Sequence, residues 1–115
     1  MSMREKAGML QRDNIQIRKA NEKDAFILSL IDKECLSSEC WSEKVFSENL
    51  KREDAITLIA ECDDKEAGFI NIIKVLDEAD INTVAVLPSF RRKGIADMLL
   101  SEIFSLCDEM NAFHL

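Results

Sequence analysis

The sequence predicts an α+β (mixed α/β) fold, a mostly antiparallel sheet with helices packed on it, and three observations support this. Three β-rich stretches, residues 55–62, 68–76 and 80–87, follow one another across short turns, and consecutive strands so spaced pair as antiparallel hairpins. Stretches with apolar residues three and four apart precede and follow them, the period of helices with one buried face. Finally, 115 residues at 47% apolar and 32% charged, with three Gly and one Pro, are enough for one core and too few for a second domain of ordinary size. The expected division is an N-terminal arm over residues 1–14 and a single domain over residues 15–115.

Each element has a local cause. Ile15-Gln16-Ile17-Arg18 alternates apolar and polar, as a half-buried strand does, and Asn21 with Asp24 offers an N-cap for a first helix carrying Ile27, Leu28, Ile31, Cys35 and Leu36 on one stripe. The stretch Leu36 to Trp41 breaks that period. Ser42 then caps a second, short helix with Val45, Phe46 and Leu50, ending near Arg52. Asp63-Asp64-Lys65 is the turn of a hairpin, and Pro88, which has no N–H for a ladder, ends the third β-rich stretch. From Gly94 onward Ile95, Leu99, Ile103, Leu106 and Met110 mark the longest helix, widened by Ala96, Leu100 and Cys107. Ala112-Phe113-His114-Leu115 reads as the opening of another strand, so the order is β-α-α-β-β-β-α-β(start).

Composition excludes several classes. A net charge of −7 argues against a nucleic-acid binder, which needs a broad basic face. No run approaches the ~20 apolar residues of a membrane span, and Met1 to Asn14 lacks the apolar run of a signal peptide, so no membrane contact and a cytoplasmic location are expected. The four cysteines fit neither paired zinc-ligand spacing nor a disulfide framework. Cys35, Cys62 and Cys107 lie in apolar segments and read as reduced core thiols. His114 has no neighbouring ligand, and no metal site is expected.

One segment stands apart chemically. Val84-Ala85-Val86-Leu87-Pro88 runs into Ser89-Phe90-Arg91-Arg92-Lys93, and Gly94 opens the long helix. A helix N-terminus presents unpaired N–H groups, Gly94 lets backbone approach a ligand, and three consecutive cations add a field, which together suit a phosphate. A solvated basic turn is the plainer alternative. With glycines only at Gly8, Gly68 and Gly94, neither a P-loop nor a dinucleotide fingerprint exists.

The pattern Arg91-x-x-Gly94-x-Ala96 after that strand resembles the acetyl-CoA pyrophosphate loop of the GCN5-related N-acetyltransferase (GNAT) family. Trp41-Ser42-Glu43 before a helix with Phe46, and Val75-Leu76-Asp77-Glu78-Ala79-Asp80-Ile81 leading into the strand before the loop, are similar to its ribosomal-protein-alanine (RimI-type) branch. The resemblance implies acetyl-CoA as acetyl donor, in a cleft where two strands splay, its pantetheine arm lying against the main chain of Val84, Ala85 and Val86. It assigns the pyrophosphate to the N–H groups of Arg92, Lys93, Gly94, Ile95, Ala96 and Asp97, with Arg91 and Arg92 adding charge. Asp97 departs from the small or basic residue that such a loop favours, and its benign role is that of an acid in a first helical turn.

The activity so implied is acetyl transfer to an amine, by resemblance the N-terminal amine of a ribosomal or other protein, a partner that an acidic surface suits. The family protonates the departing thiolate with a Tyr beyond the fifth strand. This chain has no Tyr and stops as that strand begins, so the C-terminal part of the fold is expected to be missing and this chain alone to be weakly active or inactive. Catalytic residues stay unassigned. Glu78 and Asp80 are the carboxylates nearest the amine path and Trp41 the candidate for substrate contact, against the plainer readings of solvated edge acids and a loop anchor. Two other readings stay open: a non-catalytic CoA-binding or regulatory module, and an inactive fragment completed by self-association. An open sheet edge between Asp80 and Leu115 is expected to pair as a homo-oligomer, with the faces of Val84–Leu87 and of Leu99 and Ile103 partly uncovered.

Overall fold

The structure, a computed structural model, describes residues 14–36, 40–76 and 78–109. The expected arm before Asn14, the helical position of Met110 and the strand start at Ala112–Leu115 lie outside these described residues. Strand β1 spans Ile15–Lys19. Asn21 then caps a single 3-10 turn, Glu22–Asp24, in a reciprocal arrangement: its Oδ1 accepts from the Lys23 N–H at 2.9 Å, and Asp24 Oδ2 accepts from the Asn21 N–H at 2.8 Å. Helix α1, Ala25–Leu36, continues from that turn. Ser42 Oγ accepts from the Val45 N–H at 3.3 Å and starts α2, Glu43–Leu50. Of the apolar residues expected in α2, Phe46 is buried, Leu50 half-buried and Val45 exposed, and Asn49 is buried beside Phe46.

Strand β2, Ala55–Cys62, turns through Asp63 (φ 52°) and Asp64 (φ 70°) into β3, Lys65–Val75. Two consecutive left-handed residues are what a two-residue type I′ hairpin requires, and Asp tolerates that region better than most side chains. The strand therefore starts three residues before Gly68, where apolar pattern alone places it. Strand β4 spans Glu78–Val86, beginning two residues before the expected Asp80. A 3-10 turn, Pro88–Phe90, leads to the loop and to α3, Ile95–Glu109.

The four strands pair antiparallel in the order β1-β2-β3-β4. One face, with Leu58, Ile70 and Ile72, packs against Ile95, Leu99, Ile103 and Cys107 of α3. The other, with Ile59, Phe69 and Ala85, packs against Ala25, Leu28 and Ile31 of α1 and Phe46 of α2. Leu99 and Ile103 are fully buried, contrary to the expectation of a thinned cover, because the sheet alone covers the inner stripe of α3. Val84, by contrast, is 37% exposed.

A bulge divides β4. Asn71 is opposite Thr83 but Ile72 is opposite Ile81, leaving Asn82 as an extra residue. Its effect is visible in the packing: Ala79 and Ala85, six residues apart, would share a face in a regular strand, yet Ala79 packs toward α3 and Ala85 toward α1. The bulge lets both ends of β4 bury a small residue on the appropriate side.

Candidate functional site

A cleft of about 400 Å³ opens where the C-terminal end of β4, the following loop, the start of α3 and the end of α1 meet. Val84, Ala85, Val86, Arg91, Arg92, Gly94, Ile95, Ala96 and Asp97 all line it. Lys93, the remaining residue singled out in this loop, is exposed and stands outside the lining. The loop reaches its shape through two left-handed residues, Arg92 (φ 66°) and Gly94 (φ 78°). At Gly94 the requirement is conformational, since a Cβ there would meet nothing within 4 Å. Arg92 adopts the same region with a Cβ, at a cost of roughly 1 kcal/mol.

The first bond of α3 runs from the Met98 N–H to the Gly94 carbonyl at 3.0 Å. The N–H groups of Ile95, Ala96 and Asp97 therefore precede the helical ladder and face outward with the positive end of the helix dipole, in the wall of the cleft. Asp97 is exposed in that first turn, where the dipole favours a carboxylate.

Arg91 does more than add charge. Its Nε donates to the Val86 carbonyl at 2.8 Å, tying the loop back to the end of β4, and its Nη2 lies 3.9 Å from Cys35 Sγ. Cys35 Sγ donates to the same carbonyl at 3.5 Å. Reading Cys35 as a core thiol is thus corrected: it is half-buried at the end of α1 and lines the cleft, whereas Cys62 and Cys107 are core residues. Cys35 still packs against the α1-side core that holds Leu28 and Ile31, and periodicity marks that contact but not the cleft, which forms only where the end of β4 and its loop come alongside. Phe90 is a second lining residue that the sequence did not mark.

Gly68 stands behind the cleft. A Cβ there would lie 2.5 Å from the Ala85 carbonyl oxygen and 3.0 Å from Val86 Cα, so β3 meets the cleft-forming end of β4 only with glycine at this point. An isolated Gly inside an apolar strand pattern was the available signal.

A second concavity, a groove of about 390 Å³, lies beside α2 and is lined by Trp41, Val45, Glu48, Asn49, Arg52 and Ile73. Trp41 is held from three sides: its backbone N–H donates to Asp32 Oδ2 at 2.9 Å, its ring meets Phe46 edge-on with centroids 5.2 Å apart, and it packs on the α1 side of the sheet. It is a loop anchor that also presents a wall of the groove. Asp80 is opposite Ile73 and Glu78 opposite Val75, and directly opposed residues share a sheet face, so both carboxylates sit on the groove side, exposed. Arg52 is tied to Asp54, Nη2 to Oδ2 at 2.7 Å. Among the described residues no group of His, Cys, Asp and Glu is placed to hold a metal ion, and no helix is long and apolar enough to cross a membrane.

Similarities to known proteins bear on this arrangement. The chain is 41% identical over 63 residues to the [ribosomal protein bS18]-alanine N-acetyltransferase of Salmonella typhimurium, a match covering 55% of this chain and 42% of that protein. Its fold superimposes on the crystal structure of the ribosomal-protein-S18-alanine N-acetyltransferase of Escherichia coli with a TM-score of 0.76 and 26% identity, covering 84% of this chain and 61% of that one. The PaiA N-acetyltransferase of Thermoplasma acidophilum, solved with coenzyme A, shares the fold at TM-score 0.74 and 20% identity, over 86% of this chain and 75% of that one. The match to the Salmonella protein thus takes in less than half of that relative's length. A sequence model of the Acetyltransferase (GNAT) family matches residues 21–115, from the cap of the first helix through the loop and the last helix, and this chain belongs to that family.

Proposed function

We propose that this chain is the cofactor-binding portion of an N-acetyltransferase that moves an acetyl group from acetyl-CoA to an amine, the acceptor being the N-terminal amine of a protein, by kinship a ribosomal one. The observation that supports this best is the meeting, in one cleft, of the N–H groups opening α3, the cations of the loop and the end of β4. The N–H groups of Ile95, Ala96 and Asp97 would hold a diphosphate, Arg92 would add charge, and the main chain of Val84–Val86 would run beside an extended amide-bearing arm. Arg91, already bonded to Val86, would keep the loop against the strand as the ligand enters. Bound acetyl-CoA supplies the thioester.

The groove beside α2 would receive the acceptor, with Trp41 as an apolar wall. Asp80 and Glu78, on the same face, would draw a cationic amine in and take up its proton, directly or through water. A cytoplasmic setting belongs to the same proposal, consistent with four cysteines that form no disulfide.

Calorimetric titration of the chain with coenzyme A tests the cleft. The double variant Arg91→Glu, Arg92→Glu is expected to bind at least about tenfold more weakly, the scale of one charge-assisted hydrogen bond. Binding at the strength of the parent would overturn the loop assignment.

A second reading concerns assembly, and one observation favours it: among the described residues β4 is an outer strand of the sheet. Such an edge recruits another strand, so two copies pairing along Glu78–Val86 are expected. Light scattering across a dilution series checks this, and a monomer at all concentrations would count against it.

A further inference from the structure

A polar bridge, buried except at its Asn82 end, runs from the groove toward the cleft. Asn71, 1% exposed in the middle of β3, donates from Nδ2 to Asn49 Oδ1 at 2.9 Å and to Thr57 Oγ1 at 2.6 Å. Its Oδ1 accepts from Asn82 Nδ2 at 2.8 Å. Both amide hydrogens and the carbonyl are committed, and Asn49 and Thr57 are buried as well. Polar side chains in such a place give up hydration that apolar ones would not, so a complete network here points to a constraint on position rather than to stability alone.

The two ends of the bridge are informative. Asn49 is part of the groove wall, on α2. Asn82 is the extra residue of the β4 bulge, two positions before Val84, where the cleft begins. A bulge interrupts the ladder, and beyond it the strand has lost one of its fixings to β3. The bond between Asn82 and Asn71 replaces that fixing from the side-chain layer.

We infer that Asn71 is a positioning residue that pins the β4 bulge to α2, so that the acceptor groove and the main chain of Val84–Val86 keep one relative placement. This rests on reading the two concavities as acceptor and cofactor sites. Amine and thioester must meet in a narrow range of distance and angle, and a rigid link between the surfaces that hold them is one way to secure it. A change felt at Asn49 reaches the bulge through two hydrogen bonds.

The test uses the isotope-labelled chain and three single-arm variants, so that a failure of Asn71→Leu to fold decides nothing by itself. Asn82→Ala cuts the arm to the bulge, Asn49→Ala the arm to α2, and Thr57→Val the arm to β2. Asn82→Ala and Asn49→Ala are expected to shift the amide resonances of Val84–Val86. Asn82→Ala should also weaken coenzyme A binding about three- to tenfold, the range that the loss of one hydrogen bond spans. Thr57→Val should lower the melting temperature while leaving those resonances and the affinity near the parent's. Unchanged Val84–Val86 resonances in Asn82→Ala and Asn49→Ala would overturn the coupling. Shifted resonances in a chain whose parent binds no coenzyme A would uphold the coupling and discard the reading of the cleft.

Discussion

The two faces of the sheet are built differently. Toward α3 the fully buried core is free of aromatic rings, Ile, Leu, Ala and Cys from the strands against Ile95, Leu99, Ile103 and Cys107, with half-buried Phe90 packed at its margin, and burial pushes the Cys107 thiol pKa up. Toward α1 and α2 lie the aromatic cluster of Trp41, Phe46 and Phe69 and, among the described residues, all the buried polar side chains: Asp24, Asp32, Asn49, Thr57 and Asn71. Apolar contact is non-directional and tolerates small shifts, whereas each buried hydrogen bond fixes a distance and an angle. The α3 face therefore holds the sheet together, and the α1/α2 face determines where its parts stand relative to the cleft and the groove.

That division can be broken at several points. The largest effect is expected from Leu99→Ala on the aliphatic face, where a fully buried side chain would leave a cavity and cost about 2–5 kcal/mol. Urea unfolding measures it, and the protein that remains folded should bind coenzyme A almost as the parent does. A loss of affinity beyond the loss of fold would show that the faces do not divide labour in this way. Gly68→Ala should cost less, about 1–3 kcal/mol, as β3 and β4 move apart to admit a methyl group against the Ala85 carbonyl. This variant sharpens the comparison, because the displaced residues line the cleft and affinity should fall together with stability.

The smallest effect concerns pH. Arg18 bonds Asp24 through Nη1 and Nη2 at 2.8 and 2.9 Å and Glu61 through Nε at 2.8 Å, on the α1/α2 face. The hydrogen bonds from Arg18 hold the Asp24 carboxyl below its ordinary pKa. A carboxylate with a depressed folded-state pKa contributes in full above its unfolded value, and the contribution is lost as pH falls through the folded one. The melting temperature should therefore hold at neutral pH and drop as the pH falls through and below the ordinary carboxylate range, and drop less steeply in Asp24→Asn, whose side chain has no charge to lose. Parallel curves for the two would place the acid sensitivity elsewhere.

Much of this was legible in the sequence because its causes are local. β2 has the limits that its composition indicates, Ser42 and Asn21 cap as their side chains suggest, and the strand, loop and helix around Arg91 and Gly94 form one cleft. What escaped depends on pairing. The bulge at Asn82 is a difference of one residue between two strands, invisible until β3 is laid beside β4. Asn71 reads in sequence as a polar interruption of an apolar run, and its three partners come from three other elements. The position of Cys35 at the cleft and the turning of Arg91 onto Val86 likewise arise only when the end of α1 meets the end of β4.

The sheet order also carries a schedule. The pairs β2–β3 and β3–β4 join strands separated only by short turns, and β2 with β3 closes over two residues, whereas Ile15 of β1 must find Cys62 with both α1 and α2 in between. Closing the longer span costs more chain entropy, and contacts between distant residues are the slow ones to form. The meander β2-β3-β4 is thus expected to form first, and β1 to join it later, fastened by the grip of Arg18 on Glu61 and Asp24. On that order Asn71 and Thr57, both inside the meander, would be in place to receive Asn49 when α2 docks, and the polar bridge would assemble from the sheet outward.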